Sequence, residues 1–365
     1  MNPQSLFCLN LNCPSRGVQN AGNLVVHDSL TQRYRCKRCQ TTFVATKGTL
    51  FYRLKTDPKT VVLVLSLLSF GCPLQAIVAA FNFDARTVRS WQDKAGAHCE
   101  QVHTALVSEQ AMDLQQVQAD EMRVKLQKRR LVWMAMAICV PTRLWLGGVV
   151  RPHRDKKLLA QLAALVKSCA RLAPLLLVTD GWGGYQDAWQ KAFRTPLKTG
   201  KRGHPRLLAW PDVAVAQVVK WRQAGRVVGI RVCRLGGAWP QIGRLLPSGQ
   251  VLSTAYIERL NATFRARLCC LVRRGRALAR LPQSVSRGMY LVGCLYNFCT
   301  PHQSLSSEGE RTPAMAAGLT DHIWTVEELL SYRMAPAPFV AAKRRGRKPK
   351  SQATERKGAD ILVTV

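Results

Sequence analysis

Acidic residues are scarce in this sequence of 365 residues, where 21 Asp and Glu stand against 54 Lys and Arg and leave a formal net charge of +33. The basic residues are spread along the whole chain. This excess of positive charge predicts a polyanionic partner, and we expect DNA or RNA rather than an anionic membrane surface. Against such a background, each carboxylate needs its own explanation.

Long apolar runs are also lacking. The longest, "VVLVLSLLSF" from Val61, has 10 residues and is too short to span a bilayer. The N-terminal "MNPQSLFCLN" has no basic region followed by an apolar segment, so a secretory signal is not expected. We therefore expect a cytoplasmic, nucleoid-associated protein without a membrane partner, whose 13 cysteines are thiols or metal ligands rather than disulfides.

Four of the cysteines have the spacing of metal ligands. Cys8 and Cys13 are separated by four residues and Cys36 and Cys39 by two, and the chain between the pairs is typical of a turn and two strands. Two such knuckles can present four sulfurs tetrahedrally to Zn²⁺. The pattern predicts a zinc ribbon over residues 1–50, with a structural zinc; the alternative is four free cysteines.

Residues 51–112 show helical patterning. Two short helices, "PKTVVLVLSLLSFG" and "PLQAIVAAFNF", precede a longer basic one that Asp84 caps. The arrangement predicts a helix-turn-helix DNA-binding domain, and the alternative is a three-helix cap with a solvated basic face. The first turns of the longer helix carry the side chains expected to reach base edges in the major groove: Arg86, Thr87, Arg89, Ser90 and Gln92.

Residues 113–320 alternate between strand and helix patterns, which indicates an α/β fold. Three strands, a helix and a fourth strand, "PLLLVTD", are the first elements of a ribonuclease-H-like fold. A helix, a strand hairpin and another helix, "STAYIERLNATFRARLCCL", follow, and Ser253 or Thr254 is expected to cap the last of these.

Three acids occupy distinctive places in this pattern: Asp120 in the first strand, Asp180 at the end of the fourth, and Glu258 in the later helix. Side chains at strand carboxyl ends meet at one sheet edge, and carboxylates there could hold the two Mg²⁺ ions of phosphodiester chemistry. The alternatives are ordinary structural roles. Asp180 would cap the next helix, and Glu258 would form an ion pair with Arg259 or Arg265. Asp120 would form a cross-strand pair, and the neighbouring Glu121 would then be the rival metal ligand.

A further basic segment closes the chain. Residues 321–365 are predicted to contain a helix, a linker and a basic tail, "KRRGRKPK", at 343–350. Its Arg-Gly-Arg centre is similar to an AT-hook, in which Arg345 and Arg347 would enter an A·T minor groove. The alternative is a disordered basic tail that binds phosphates without sequence preference.

Several segments together resemble the DDE transposases of bacterial insertion sequences, which have a retroviral-integrase-like core. "VQADEMRV", "LLLVTDGWGGY" and "YIERLNATFRARL" resemble their three acidic motifs, "YNFCTPHQSL" with "RTPAMAAGL" is similar to the end of such cores, and "RYRCKRCQTTF" resembles their zinc-ribbon front end. Thr300 departs from relatives that often carry arginine there, and the resemblance leaves residues 196–252 without a role.

The resemblance implies metal-dependent cleavage at terminal inverted repeats and strand transfer into target DNA, catalysed by a homodimer on paired DNA ends. It implies that Asp120, Asp180 and Glu258 bind Mg²⁺ or Mn²⁺ and that Arg265 contacts a phosphate. The rival hypotheses are a zinc-containing, sequence-specific DNA-binding regulator without catalytic activity and, third, an RNA-associated protein.

Overall fold

The structure is a computed structural model that describes residues 3–197, 204–224, 226–246, 251–273, 275–306, 309–337 and 339. The described chain divides into two compact units. One contains residues 3–45 and the described residues from Ala335 onward, and the other is Thr46–Met334. The domain boundaries suggested by the sequence, after residues 50, 112 and 320, stay predictions.

The first unit is built on a small antiparallel sheet in the order β1-β2-β3. Its strands are β1 (Leu24–Asp28), β2 (Arg33–Cys36) and β3 (Thr42–Val44). Asp28 shapes the β1–β2 turn, because its Oδ1 accepts the backbone N–H of Leu30 at 2.9 Å. Only a few side chains form the hydrophobic core of this unit: Leu6, Leu24, Tyr34, Phe43 and Ala45 with the cysteines beside them. So small a core cannot hold such a unit alone.

The second unit combines helices with one large sheet. Its elements in chain order are α1 (Pro58–Ser69), α2 (Leu74–Phe81), α3 (Ala85–His103), β4 (Gln116–Lys125), β5 (Leu131–Cys139), β6 (Trp145–Arg151), α4 (Lys156–Cys169), β7 (Leu175–Asp180), α5 (Gly184–Ala192), β8 (Arg194–Pro196), β9 (Leu207–Ala209), β10 (Val213–Gln223), β11 (Arg226–Gly236), α6 (Trp239–Arg244), α7 (Ala255–Arg267), α8 (Pro282–Cys294), α9 (Pro313–Ala316) and α10 (Val326–Ser331).

The helices before the sheet have clear local causes. Asp57 caps α1 by accepting the N–H of Thr60 at 3.1 Å, and Pro58 occupies the first turn, where a missing N–H costs nothing. Asn82, with φ +52°, ends α2, and Asp84 then caps α3 by accepting the N–H of Arg86 at 2.8 Å. The three predicted helices are therefore present at the predicted places.

The large sheet has six strands in the order β11-β10-β7-β4-β5-β6. β7 is parallel to both of its neighbours, β4 and β10, and the other pairs are antiparallel. The protein is thus a mixed α/β protein with a mixed six-stranded sheet, which confirms the predicted α/β class. The carboxyl ends of β4, β7 and β10 point to one edge, which is where the candidate acids lie.

One hydrophobic core joins the three N-terminal helices to the sheet and to α8. Helix α3 packs on α8 so closely that a Cβ at Gly96 would lie 2.4 Å from the carbonyl oxygen of Arg287. Only glycine permits this approach of the two backbones. His98 and His103 of α3 are buried in this core. Among the described residues, none of the helices is long and apolar enough to cross a membrane.

Candidate functional site

The four spaced cysteines converge in the first unit. Cys8 and Cys39 have their Sγ atoms 3.6 Å apart, those of Cys13 and Cys36 are 3.8 Å apart, and all four sulfurs lie within 4.8 Å of one another. Sulfurs bound at about 2.3 Å to a tetrahedral zinc are separated by about 3.8 Å. The group could therefore hold a structural zinc ion.

Polar neighbours surround two of these cysteines. Asn23 donates from Nδ2 to the Sγ of Cys36 over 3.2 Å. Burial raises the pKa of Cys39, but hydrogen bonds from Thr41 and Asn10 outweigh it and bring that pKa to about 6. A thiolate is the form that binds zinc, so the donors to Cys39 also favour metal binding.

Three carboxylates converge in the second unit at the carboxyl edge of the sheet. β4 and β7 are adjacent and parallel, with Ala119 opposite Thr179, so Asp120 on β4 lies beside Asp180 on β7. Glu121 joins them, and one carboxylate oxygen from each of the three lies within 4.8 Å of the others. Hard divalent cations prefer such oxygen ligands, so the group could bind a metal ion.

Asp120 sits at the centre of this cluster. Its Oδ2 accepts a hydrogen bond of 2.8 Å from Nδ2 of the buried Asn261, and its Oδ1 accepts the N–H of Glu121 at 2.8 Å. Burial, followed by the charges of Glu121, Asp180 and Glu258, raises the pKa of Asp120 to about 7. A bound cation would relieve this repulsion, which is a sign of a functional rather than a purely structural group.

Glu121 was the rival ligand in the sequence, and it is buried and held on both oxygens. Tyr185 donates its hydroxyl to Oε2 at 2.7 Å, while Arg154 donates from Nε to Oε1 at 2.7 Å. The Arg154 guanidinium also lies over the rings of Trp182 and Trp133, at 4.3 and 5.2 Å. Trp182 therefore has a packing role. Burial raises the pKa of Glu121, which the Tyr185 hydrogen bond and the Arg154 charge oppose.

Glu258 is not part of this three-carboxylate group. Its carboxylate pairs with Lys220 of β10 and accepts the Thr254 hydroxyl at 2.7 Å. Its side chain is 50% exposed. Asn261 follows one turn later on α7, so Glu258 still lies one helical turn from the residue that holds Asp120. Its role as a metal ligand stays a prediction.

Gln118 is a site residue that sequence reasoning missed. It is buried on β4, and its Oε1 accepts the N–H groups of both Tyr256 and Ile257 at 3.0 Å. Thr254 occupies the capping position of α7, but its side chain accepts no capping hydrogen bond. Gln118 instead satisfies the first turn of α7 and thereby fixes that helix against the strand that carries Asp120. The only signal was that Gln118 alternates with the apolar Val117 and Ala119, two positions before Asp120.

The predicted DNA contacts are in different environments. Arg86, Thr87 and Arg89 are exposed on the first turns of α3, and a shallow groove beside them is lined by Lys94, Arg287 and their neighbours. Arg265 is half-buried; burial lowers its pKa, and the charge of Asp120 acts in the opposite direction. Arg345 and Arg347 lie outside the described residues.

No protein-family model matches this chain, and no curated protein matches it. The geometry of the two ligand clusters and the charge of the chain therefore carry the functional argument. The first cluster is made of soft sulfur ligands and the second of hard oxygen ligands, so the two would select different metals.

Proposed function

We propose that this protein is a DDE transposase that cleaves DNA at terminal inverted repeats and transfers the cut strand into target DNA. The observation that carries the proposal is the convergence of Asp120, Glu121 and Asp180 at one sheet edge in a chain of net charge +33. Acidic residues are scarce in this chain, so three carboxylates in one cluster are not expected from a random distribution of surface charge. Burial and the neighbouring carboxylates also raise the pKa of Asp120, which is typical of functional sites.

The arrangement of the sheet supports a ribonuclease-H-like core. The order β6-β5-β4-β7-β10, with β5 antiparallel to both neighbours and β7 parallel to both, is the arrangement such a core requires. Asp120 lies on the central strand of this set and Asp180 ends the next, so both predicted ligands occupy the edge where catalytic residues of open α/β sheets collect.

Asp120 and Asp180 would hold Mg²⁺ or Mn²⁺, with Glu121 or Glu258 as the third carboxylate. When bound, two such ions activate the attacking oxygen and stabilise the leaving oxygen of a phosphodiester. Asn261 orients Asp120, and Gln118 holds α7 in place for it. Arg265, half-buried near Asp120, is suited to a substrate phosphate.

The remaining parts of the chain would bind and position the DNA. The Cys₄ group would hold a structural Zn²⁺, and the exposed Arg86, Thr87 and Arg89 would read bases as a recognition helix. The protein would act in the bacterial nucleoid as a homodimer that bridges two transposon ends. These assignments rest on the resemblance in sequence and on the exposure of the α3 side chains.

The proposal is tested by Mg²⁺- or Mn²⁺-dependent nicking and strand transfer on DNA that flanks the gene. Asp180→Asn should abolish cleavage at a repeat end. Asp187→Asn is the matched control, because Asp187 lies nearby on α5 but pairs with Lys191 at 2.7 Å outside the cluster. Salt-sensitive DNA binding without cleavage by the unaltered protein would instead favour the non-catalytic regulator.

A further inference from the structure

The segment before the basic tail lies against the first unit. The sequence predicted a linker between the last helix and the tail, but Ala335, Pro336, Ala337 and Phe339 belong to the same compact unit as the three-stranded sheet. We call these four residues the strap. They contact the end of residues 8–17, which we call the first knuckle because it contains the first cysteine pair. This part of the predicted linker is therefore bound to the protein.

Gly17 lets the strap come close to the first knuckle. Its φ is +71°, and a Cβ on it would lie 2.6 Å from the carbonyl oxygen of Pro336 and 3.6 Å from the Cβ of Ala335. A side chain at this position would displace the strap, so only glycine permits the approach of the two backbones. The contact is a close fit of main chain to main chain.

Arg16 holds the strap through two further contacts. Its Nε donates to the carbonyl oxygen of Ala337 over 2.5 Å, and its guanidinium lies over the ring of Phe339, 5.6 Å from the centroid. The same guanidinium donates from Nη1 to the carbonyl oxygen of Leu11 within the knuckle. Arg16 thus recognises a carbonyl group and an aromatic ring in a segment that Pro336 helps to keep extended before it binds.

The cysteines fix both residues that bind the strap. The backbone N–H of Gly17 donates to the carbonyl oxygen of Cys8 at 3.0 Å, and the N–H of Arg16 donates to that of Cys13 at 3.1 Å. The hydrophobic core of this unit is too small to hold such a loop alone. A zinc ion bound to the four sulfurs would therefore stabilise the surface on which the strap lies.

The strap determines where the basic tail begins. Phe339 precedes Lys343, the first residue of "KRRGRKPK", by four residues, which span at most about 14 Å. The start of the tail is thus kept near the first unit, which has exposed cations of its own: Arg33, Arg35, Lys37 and Arg38. On the proposed function, the two groups of cations would act on the same stretch of DNA.

We propose that the first knuckle is a zinc-dependent docking surface for the strap of the same chain, and that zinc binding thereby anchors the basic tail beside the small sheet. The docking needs neither DNA nor the carboxylates, so its test is independent of the nicking assay. Only the role of the anchored tail in DNA binding rests on the proposed function.

Chymotrypsin digestion of the full chain, followed by mass spectrometry, tests the zinc dependence. A protease cuts after Phe339 only when the strap leaves the knuckle, so the rate reports how often it is detached. Removal of zinc with a chelator should raise this rate by at least about tenfold. Cleavage after Trp239 is the internal control, because Trp239 is 51% exposed on α6 of the other unit and should be cut at an unchanged rate.

Arg16→Gln tests the docking contacts with zinc still bound. The variant removes a hydrogen bond and a cation–π contact, so cleavage after Phe339 should be faster by about 5- to 30-fold. Arg38→Gln is the matched control, since Arg38 is exposed on the second pair of cysteines and the charge change is the same. Elemental analysis should find one zinc in both variants.

Pro336→Gly changes the strap and leaves the knuckle unaltered. It makes the free segment more flexible and should speed cleavage after Phe339 by about 2- to 5-fold, again with zinc retained. This variant decides the question if Arg16→Gln loses its metal.

Equal rates of cleavage after Phe339 with and without zinc would overturn the proposal. So would a rate in Pro336→Gly that matches the unaltered protein. A cleavage rate that rises as the protein is diluted would also contradict it, because the strap would then dock on a second copy of the chain.

Discussion

The two ligand clusters are built in opposite ways. The sulfurs of the first are themselves part of the small core of their unit, whereas the carboxylates of the second lie at the edge of a sheet whose large core is complete without them. Removing a ligand should therefore unfold the first region, but should leave the second folded, with a changed charge, metal affinity and pH dependence of stability. On the proposed function, a zinc ion bound at the first cluster would stabilise the fold of its unit, whereas an ion bound at the second would serve catalysis.

The largest effect is expected at the cysteines. Cys36→Ser should lose the zinc and unfold residues 3–45, because a structural zinc supplies on the order of 10 kcal/mol to units of this size. Elemental analysis would measure the zinc, and hydrogen exchange would report on β1 to β3. Cys233→Ser on β11 is the control and should keep the metal. If the amides of these strands stayed fully protected from exchange without zinc, the first cluster would not be needed for folding and would not differ from the second in this respect.

At the carboxylates we expect a pH effect in the metal-free protein. The pKa of Asp120 is raised to about 7 in the folded state, so its contribution to stability is complete below about pH 4 and is lost as the pH rises towards about 7. Asp120→Asn should flatten this fall, and Mn²⁺ should restore stability to the unaltered protein near pH 7.

Urea unfolding at several pH values, in EDTA and in Mn²⁺, measures this effect. Asp113→Asn is the control, because Asp113 pairs with Arg171 away from the cluster and is not a ligand candidate. A Mn²⁺ effect of the same size in Asp120→Asn as in the unaltered protein would contradict the assignment of Asp120 as a ligand.

A smaller effect is expected at Gln118. Gln118→Ala leaves two N–H groups of α7 without their acceptor and should reduce the free energy of unfolding by about 1–2 kcal/mol, the usual cost of losing a helix cap. Gln186→Ala is the comparison, since it removes a single longer bond, of 3.2 Å, to the carbonyl of Leu235. Equal losses in thermal melts of the two variants would show that Gln118 has no special role.

The smallest effect on stability is expected at Lys220. Lys220→Met breaks a partly exposed ion pair and should cost less than about 1 kcal/mol. Because the charge of Lys220 then no longer competes for the Glu258 carboxylate, Mn²⁺ should bind more tightly, as titration calorimetry would measure. Lys191→Met breaks the exposed pair with Asp187 and should leave Mn²⁺ affinity unchanged. Weaker Mn²⁺ binding in Lys220→Met would argue against Glu258 as a ligand.

Most elements of the fold could be predicted because their causes are local. Asp84 caps α3 through backbone N–H groups that lie within three residues of it in the chain. The spacing of the four cysteines likewise predicted that they would lie together. The contact between Gln118 and α7 could not be predicted, because Tyr256 and Ile257 lie 138 and 139 residues after Gln118 in the chain. The Lys220–Glu258 pair likewise joins two elements that only the folded sheet brings together.

The candidate site was predictable only in part for the same reason. Strand alternation placed Asp120 and Glu121 on opposite faces of β4, and the sequence could not determine which of them would meet Asp180. In the structure both do, because they lie near the carboxyl end of neighbouring β7. Two adjacent acids in a strand should therefore be considered together when that strand ends at a sheet edge.

The backbone contact at Gly96 has a consequence for distance. A Cβ there would lie 2.4 Å from Arg287, so α3 is fastened directly to α8 in the core that also supports the sheet. Arg86 lies ten residues before this contact on the same helix, about 15 Å away. On the proposed function, α3 reads a DNA sequence and Asp120 and Asp180 mark the bond that is cut. Because both parts belong to one rigid core, the fold fixes the number of base pairs between that sequence and that bond. Gly96→Leu, which forces the two helices apart, should therefore spread the cuts over several positions on the DNA while some cleavage is retained.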